Sequence, residues 1–498
     1  MALEGGAGIG NGIIKRPPQN CSVAVETAGH RADGETEEED EGKPWIARKW
    51  ISSLAVCLVA LPFLAIMVSR RDRPLPLASG WTSAATARTT YDRRESNQDG
   101  LLGGLLVPWF DEQSCISRYQ STSHLKKLAR SPSTHLVKRL REQEALQRRC
   151  GPGTETYRRA AERLGPREDG TSTTTDDDAC KYLVLVPYRG LGNRILAMAS
   201  AFLYAMLTDR VLLVHRGTSL PDLLCEPFQE TSWLLPPDFP LRDLENLTGE
   251  VPESYRNLVR EYGRAASVSD LPYVFVDLDH ACTYHDKLFY CDDHREFLHR
   301  APWLVMRTDG YFVPALFLNP AYQEELDKLF PRKDSVFYLL ARYLFHPTNK
   351  VWGLITRFYD SYLKNSDERL GIQVRVFDGD TPFKHVLDQI LACTSQEHLL
   401  PEVVAQDPGP PASTAGARSK AGYVGHGLGG LTPWIMFKPE NLTTPDPPCR
   451  RAASMEPCLH GPPFYDCRAR RGADTGKLVP HVRHCEDMSW GLKLVHPE

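Results

Sequence analysis

The sequence lacks several features that mark common classes of protein. Its formal net charge is −4, so no general excess of basic residues indicates nucleic acid, and we expect no nucleic-acid partner. It contains no C-x-x-C pair, which argues against a zinc site among its cysteines. No carboxylate pattern such as D-x-D makes a convincing site for a divalent metal, and neither do His481, His484 and Asp487 near the C-terminus. We therefore predict that the protein does not depend on a metal ion.

A glycine-rich turn lacks the third glycine of the dinucleotide-binding fingerprint, because Ile195 stands where G-x-G-x-x-G requires it. The apolar run YLVLV at 182–186 precedes this turn, apolar residues recur at helical spacing after it, and VLLV follows at 211–214. The pattern predicts a strand, a helix and a second strand, and so an α/β fold with a parallel sheet.

The turn itself carries candidate binding residues. Gly192, Asn193 and Arg194 stand where the predicted helix begins, and free N–H groups at a helix N-terminus suit an anion or a polar sugar ring. Asn193 is either a helix cap or a donor to a ligand, and Arg194 suits a phosphate. A tight turn without any ligand accounts for the same glycines.

Two further candidates follow predicted strands. Arg375, in GIQVRVF at 371–377, stands where open α/β sheets bind ligands and suits a diphosphate, or it pairs with Asp378. Asp309 follows the apolar run WLVMRT and is a candidate acceptor-binding group or general base, or a turn-forming residue before Gly310.

Residues 50–68 form an uncharged stretch about as long as a membrane is thick. We predict a transmembrane helix there; a buried core helix is the alternative. The basic residues that flank the stretch are balanced and do not set its orientation. Asn246 and Asn441 begin N-glycosylation sequons, which are used only in the secretory lumen. We therefore expect residues 1–49 to be a disordered cytoplasmic tail and the body to be luminal.

Eleven of the 13 cysteines follow the predicted span, which suits an oxidising compartment with disulfides. Because eleven is odd, at least one luminal thiol is free or pairs between chains, which allows a disulfide-linked homodimer. Residues 69–100 have the composition of a flexible stem.

The second half of the chain carries a second set of patterns. VWGLITRFYDSYL at 351–363 predicts a helix whose aromatic side chains belong to the core, GIQVRVF a strand, and PWIMF at 433–437 another strand. A helix with an apolar face of Phe383, Val386, Leu387, Ile390 and Leu391 is expected between them. Residues 405–420 break all periodicity and are expected to form an unstructured insert.

Six long motifs occur in an order that resembles the plant xyloglucan α-1,2-fucosyltransferase family. They are GLGNRILAMASAFLYAMLTDRVLLV (190–214), CEPF (225–228), SWLLPPDFP (232–240), RYLFHPTNKVWGLITRFYDSYL (342–363), GIQVRVFD (371–378) and LVPHVRHCEDMSWGLKLV (478–495). The similarity runs from about residue 101 to 404 and again from about 422 to 495.

The resemblance implies an inverting, metal-independent Golgi enzyme with a variant GT-B fold of two Rossmann-like lobes facing a cleft. Such an enzyme transfers L-fucose from GDP-fucose to the 2-hydroxyl of galactose on a cell-wall polysaccharide or arabinogalactan. The lobes correspond to residues 101–350 for the acceptor and 351–498 for GDP-fucose. Arg375 is then the contact to the GDP phosphates, Gly192, Asn193 and Arg194 line the donor cleft, and Asp309 meets the acceptor hydroxyl.

The chain departs from the family pattern within the second lobe. The family carries further strand–helix units after the stretch that ends here at Val404, whereas this chain runs into the Pro- and Ala-rich tract and rejoins at AGYVGHGLGGL (421–431). About 17 residues cannot hold two strands with their crossover helices. We therefore predict an incomplete nucleotide lobe; an internal deletion, an error at an exon boundary and a degenerate paralogue all produce such a tract.

Overall fold

A computed structural model describes residues 101–497, except 108–109, 125–129, 166–179, 218, 263–270, 280–282, 292–294, 367–368, 375–382, 400–419, 437–442 and 488–489. The predicted cytoplasmic tail, span and stem, and the tract at 405–419, lie outside these residues. Among the helices of the described part, none is long and apolar enough to cross a membrane.

The helices and strands alternate in the first half of this region and become short in the second. The α-helices are α1 (Ile116–His124), α2 (Thr134–Cys150), α3 (Glu155–Glu162), α4 (Leu191–Leu207), α5 (Leu220–Leu223), α6 (Tyr255–Tyr262), α7 (Tyr284–Lys287), α8 (Arg295–Arg300), α9 (Val313–Leu316), α10 (Pro320–Leu329), α11 (Val336–Leu344), α12 (Asn349–Phe358), α13 (Phe383–Gln396) and α14 (Lys420–Gly429). The strands are β1 (Lys181–Pro187), β2 (Arg210–Val214), β3 (Val274–Asp277), β4 (Trp303–Thr308), β5 (Trp434–Ile435), β6 (Arg450–Arg451), β7 (Tyr465–Asp466), β8 (Arg471–Gly472), β9 (Val482–His484) and β10 (Leu492–Leu494).

One four-stranded parallel sheet, in the order β2-β1-β4-β3, organises the first half. Alternate residues of each strand enter two separate cores, with Leu183 and Leu185 on one face and Tyr182, Val184 and Val186 on the other. A strand buried on both faces reads as a continuous apolar run, which is why YLVLV and VLLV were recognisable. The predicted strand, helix and strand are confirmed as β1, α4 and β2.

The free edge of β2 is covered by side chains of α2. The amide of Gln147 donates to the carbonyl of Leu212 and accepts from its N–H, both at 2.9 Å, and Gln143 donates to the carbonyl of Arg210 at 2.8 Å. The two glutamines take the place of a neighbouring strand, so this edge presents fewer unpaired backbone groups.

The second half differs from the predicted strand pattern. Residues 371–374 of the predicted strand GIQVRVF belong to no strand of the described part of the chain, and residues 375–377 lie outside the described residues. A strand needs a neighbour that pairs with its backbone N–H and C=O groups, and no described strand pairs with residues 371–374. In PWIMF, only Trp434–Ile435 form a strand, and it pairs antiparallel with Arg450–Arg451. The described residues contain one sheet of parallel strands, and three two-stranded antiparallel pairs make up the rest.

The helix predicted at 351–363 is present as α12 and a π-helical turn at Tyr359–Leu363, but its aromatic residues are not all core. Trp352 is buried at 9% exposure, whereas Phe358 is 58% and Tyr362 is 70% exposed. The predicted apolar face of α13 is confirmed only in part, because Ile390 is buried whereas Leu387 and Leu391 are exposed, and Gln389 and Cys393 are buried instead. The described part of the chain supplies no element to cover these side chains.

Five disulfides lie within the described residues, as the density of cysteines predicted. They join Cys115 to Cys225, Cys150 to Cys180, Cys291 to Cys467, Cys393 to Cys449 and Cys458 to Cys485. These bonds use ten of the eleven cysteines beyond the predicted span. The eleventh, Cys282, lies outside the described residues.

Candidate active site at the carboxyl edge of the parallel sheet

Asp309 lies directly after β4 and is almost completely buried, at 2% exposure. Its Oδ2 accepts a hydrogen bond from Asn193 Nδ2 at 3.0 Å and lies 3.3 Å from Arg189 Nε. Strands β1 and β4 are neighbours although more than a hundred residues separate them, and the chain leaves β1 toward β2 on the other side. Open α/β sheets bind ligands at such a crevice beyond the carboxyl ends of the strands.

Arg189 brings the turn after β1 to Asp309. Its backbone φ is +65°, a left-handed conformation that is uncommon for a residue with a side chain and that clusters at functional sites. Its carbonyl accepts a hydrogen bond from Arg194 Nε at 2.9 Å, which fixes the turn. Arg189 therefore has the left-handed backbone conformation that is usual for a glycine. Gly190, the N-cap of α4, has an ordinary φ of −68°.

A second layer of charged groups surrounds the same edge. Asp279, beyond β3, lies 4.0 Å from Arg189 Nη2, and Asp277, at the end of β3, lies 3.8 Å from Arg307 Nη2. The guanidinium groups of Arg189 and Arg307 lie 5.5 and 5.3 Å from the ring centre of Tyr188. The face of an aromatic ring attracts cations electrostatically, so Tyr188 helps to hold both arginine side chains in place.

Burial and charge shift the protonation of two groups here. Burial raises the pKa of Asp277 to about 6, although the neighbouring Arg307 opposes the shift. Burial also raises the pKa of the Tyr188 hydroxyl well above its usual range, and the negative charges of Asp309 and Asp279 add to this effect. The phenol of Tyr188 therefore remains protonated. Titratable carboxyl groups in different environments meet at this edge of the sheet.

The structure brings together some of the sequence-predicted site residues. Asn193 donates a hydrogen bond to Asp309 and does not cap the helix, because Gly190 is the N-cap; its contact to a ligand stays a prediction. Arg194 braces the turn, and Gly192 lies in the first turn of α4. Arg375 lies outside the described residues, as does the sequon residue Asn441.

Sequence reasoning missed Tyr188, Arg189, Asp277, Asp279 and Arg307. The signal was present for the two carboxylates, because Asp277-Leu278-Asp279 ends a short apolar run and is itself a D-x-D pattern. Their location beside Asp309 follows from the pairing of β3 with β4, which joins residues about thirty positions apart. No local pattern encodes that pairing.

The C-terminal residues considered for metal binding have other partners. Cys458, Cys485 and Asp487 offer three potential ligand atoms near one another, but the two cysteines form a disulfide and Asp487 accepts a hydrogen bond from the Tyr423 hydroxyl. His484 Nε2 lies 2.6 Å from Asp474 Oδ1, and the His481 ring packs edge-on against Phe317.

Comparisons with known proteins place the chain in a family. The chain matches the family described as xyloglucan fucosyltransferase over residues 80–419 and 412–468. It is 46% identical over 479 residues to a galactoside 2-alpha-L-fucosyltransferase of Pisum sativum, covering 81% of this chain and 84% of the relative. A galactoside 2-alpha-L-fucosyltransferase of Arabidopsis thaliana is 47% identical over 473 residues, covering 80% of this chain and 84% of the relative.

A solved structure of a mutant of Arabidopsis thaliana FUT1 in complex with GDP is similar in fold. Its TM-score is 0.72 at 47% identity, covering 79% of this chain and all of that one. The family match and these relatives agree with the motifs at 190–214 and 342–363 and with the parallel sheet that carries Asp309. The chain therefore belongs to the xyloglucan fucosyltransferase family of glycosyltransferases.

Proposed function

We propose that the protein is an inverting α-1,2-fucosyltransferase of the Golgi membrane. It transfers L-fucose from GDP-fucose to the 2-hydroxyl of a galactose on xyloglucan or arabinogalactan. The observation that carries the proposal is the buried carboxylate of Asp309, which Asn193 and Arg189 hold at the crevice between β1 and β4. The names of the relatives and the GDP complex of FUT1 support the donor and the type of linkage.

The reaction needs a group that accepts the proton of the attacking hydroxyl. Asp309 has this role in our proposal, because a carboxylate at the carboxyl end of β4 can bind the acceptor hydroxyl and draw off its proton as the new bond forms. The hydroxyl attacks the anomeric carbon of fucose from the face opposite the diphosphate, and GDP leaves with inversion. Arg375 and the N-terminus of α4 would stabilise the departing diphosphate without a metal ion.

We further propose that the fold is a variant of GT-B and that its second, nucleotide-binding lobe lacks a section. The alignment with the pea relative runs over 479 positions, whereas 81% of the 498 residues of this chain is about 403. The pea relative therefore has residues without a counterpart in this chain. The family match also breaks into two pieces that meet at 412–419. The uncovered side chains of α12 and α13 support the same interpretation.

Titration with GDP tests this proposal. A nucleotide site needs contacts on more than one side, and each lost charge-assisted hydrogen bond weakens binding by about 1.5 to 3 kcal/mol. We expect the full chain to bind GDP orders of magnitude more weakly than the same chain with the pea relative's unmatched residues inserted between Val404 and Ala421. Calorimetry on both proteins measures the difference, and equal affinities would show that the tract at 405–420 completes the site.

The uncovered face of α12 favours a second candidate function. A chain that has lost donor binding but kept the first lobe would be a non-catalytic Golgi protein that binds a glycan or a partner enzyme. In that case a xyloglucan oligosaccharide would bind the full chain while GDP would not. Binding of both, with turnover of GDP-fucose, would support the enzyme.

The location of the protein is part of the proposal. We propose a single-pass type II membrane protein, anchored by residues 50–68 with its catalytic region in the Golgi lumen. The five disulfides favour an oxidising compartment. Cys282 is the cysteine left to join two chains as a homodimer.

A further inference from the structure

Asp279 is a second carboxylate that faces the guanidinium held by Asp309. Arg189 Nε lies 3.3 Å from Asp309 Oδ2, and Arg189 Nη2 lies 4.0 Å from Asp279 Oδ2. Nε and Nη2 form one edge of the planar guanidinium, and such an edge can bind a single carboxylate through two parallel hydrogen bonds. Here two carboxylates, which follow the neighbouring strands β3 and β4, face that edge together.

The fold holds Asp279 in this place. Its N–H donates to Asp277 Oδ1 at 3.2 Å, which fixes the turn at the end of β3. Asp277 in turn lies 3.8 Å from Nη2 of Arg307, a side chain of the neighbouring strand β4. The side chain of Asp279 is 15% exposed, whereas that of Arg189 is 48% exposed. Asp279 is therefore a well-held contact for a guanidinium that is about half in water.

The charges of this group affect how readily Asp309 accepts a proton. A single guanidinium beside a carboxylate stabilises its ionised form and so weakens it as a base. A second carboxylate on the same guanidinium opposes that effect, because two negative charges and one positive charge leave a net charge of −1. The hydroxyl of Tyr188 adds no charge, since burial and the charges of Asp309 and Asp279 raise its pKa well above its usual range.

We propose that Asp279 is a positioning residue for the reaction at Asp309. It holds Arg189 at the carboxyl edge of the sheet and shares its positive charge, so the guanidinium orients Asp309 without removing its basicity. The inference rests on the proposed function, in which Asp309 binds the acceptor hydroxyl and takes up its proton. It requires no contact of Asp279 with either substrate.

Binding of the acceptor at different pH values tests this role without the donor. The probe is a galactose-terminated xyloglucan oligosaccharide, titrated calorimetrically into the full chain in detergent micelles. We expect the affinity to fall as the pH is lowered, because an ionised Asp309 accepts the hydrogen bond of the hydroxyl more strongly than a protonated one. In Asp279→Asn the midpoint of this fall should lie about 0.5 to 1 pH unit lower, because the guanidinium then faces Asp309 alone.

Three further variants show which carboxylate causes the pH dependence. Asp309→Asn should abolish it, because the amide does not ionise. Asp277→Asn should keep it, although burial raises the pKa of Asp277 to about 6 and this group titrates nearby. Asp279→Glu should bring the midpoint back toward the wild-type value, since it returns a negative charge to Arg189. Asp238→Asn, which removes an exposed carboxylate outside this group of charges, is the matched control and should behave as the wild type.

An unchanged midpoint in Asp279→Asn overturns the positioning role, even where the oligosaccharide binds more weakly, because a direct contact to the sugar would have that effect. A midpoint that moves as far in Asp238→Asn overturns it as well. If Asp279→Asn does not fold, the smaller Asp279→Ser carries the same expectation. A wild type that binds no oligosaccharide at any pH is a different result, since it overturns the proposed function of Asp309 and this inference with it.

Discussion

Asp309 and Arg189 form the ion pair on which the proposed chemistry depends. Asp309 is buried and its carboxylate faces both a guanidinium and an amide, so its charge is compensated within the fold. The strained backbone of Arg189 is retained because the Arg194 side chain and the ring of Tyr188 fix both its ends.

Replacing Asp309 by asparagine tests the role of its negative charge, because the shape of the side chain is almost unchanged. Asp309→Asn keeps the size of the side chain but cannot accept a proton, so we expect transfer of fucose to fall by about 100-fold or more in a chain that carries the section proposed to be missing. The measurement is the initial rate with GDP-fucose and a xyloglucan acceptor, together with the affinity for GDP. The affinity for GDP should be unchanged. A variant with the wild-type rate would show that another group accepts the proton.

Glu456 is a buried acid whose ionisation opposes folding. Its two oxygens accept hydrogen bonds from the Tyr311 hydroxyl at 2.6 Å and the N–H of Phe337 at 2.9 Å. Burial raises the pKa of Glu456 to about 8, the nearby Asp334 adds to the rise, and Lys493 opposes it. The unfolded chain ionises Glu456 near pH 4.3, whereas the folded chain resists until about pH 8.

The raised pKa of Glu456 makes the stability of the folded protein depend on pH. The unfolded state binds fewer protons than the folded state between these two values, so the contribution of Glu456 to stability falls as the pH rises through that window. Glu456→Gln cannot ionise, so we expect its Tm to change less than that of the wild type between pH 5 and about 8.5. Differential scanning fluorimetry at several pH values compares the two proteins, and parallel curves would contradict the expectation.

The helix α12 and its π-helical continuation present an apolar face to solvent. Leu354, Ile355, Phe358 and Tyr362 recur at helical spacing and are all exposed. A soluble protein usually covers such a face, so this element has lost a neighbour or awaits one. Trp352, on the opposite side, is buried and donates a hydrogen bond to Gln120 at 2.9 Å.

Substitutions on the two sides of this helix should therefore differ in effect. We expect Phe358→Glu to change the free energy of unfolding by less than about 0.5 kcal/mol and to reduce aggregation, because the side chain is already in water. Trp352→Ala should cost about 3 to 5 kcal/mol through the loss of a packed aromatic ring. Chemical denaturation measures the free energies, and light scattering measures aggregation. A large loss of stability in Phe358→Glu would mean that the face is covered in the folded protein.

For the molecule as a whole, the proposed topology depends on which side of the membrane the body occupies. Asn246 is exposed in a short 3₁₀ turn, Leu244–Asn246, and Thr248 of the same sequon is exposed as well. An oligosaccharyltransferase could therefore reach this site if residues 101–498 face the lumen.

Glycosylation at Asn246 provides the test of that topology. We expect the protein made in plant cells to shift to lower mass on treatment with an endoglycosidase, and Asn246→Gln to lose one step of that shift. Thr248→Ala, which breaks the same sequon, is the matched control and should lose the same step. A protein without glycans, whose C-terminal region is digested by protease outside intact microsomes, would place the body in the cytosol instead.

The sequence by itself determined the parallel unit β1–α4–β2, because strands buried on both faces and a long apolar helix leave a local pattern. It also determined the family, through motifs that are contiguous in the chain, and the density of disulfides, through the number of cysteines. Asp309 and Asn193 were recognisable for the same reason, since each stands beside an apolar run.

The tertiary structure decided what depends on contacts between distant residues. It brought Arg189, Asp279 and Asp309 to one crevice by pairing β1 and β3 with β4. It also decided which faces of α12 and α13 are buried. The apolar periodicity of these helices did not predict this correctly, because it shows that a face could pack against a neighbour but not that the neighbour is present. The burial of Arg118, whose guanidinium has no hydrogen-bond acceptor among the described residues, was invisible in the sequence for the same reason, because burial is a property of the packed molecule.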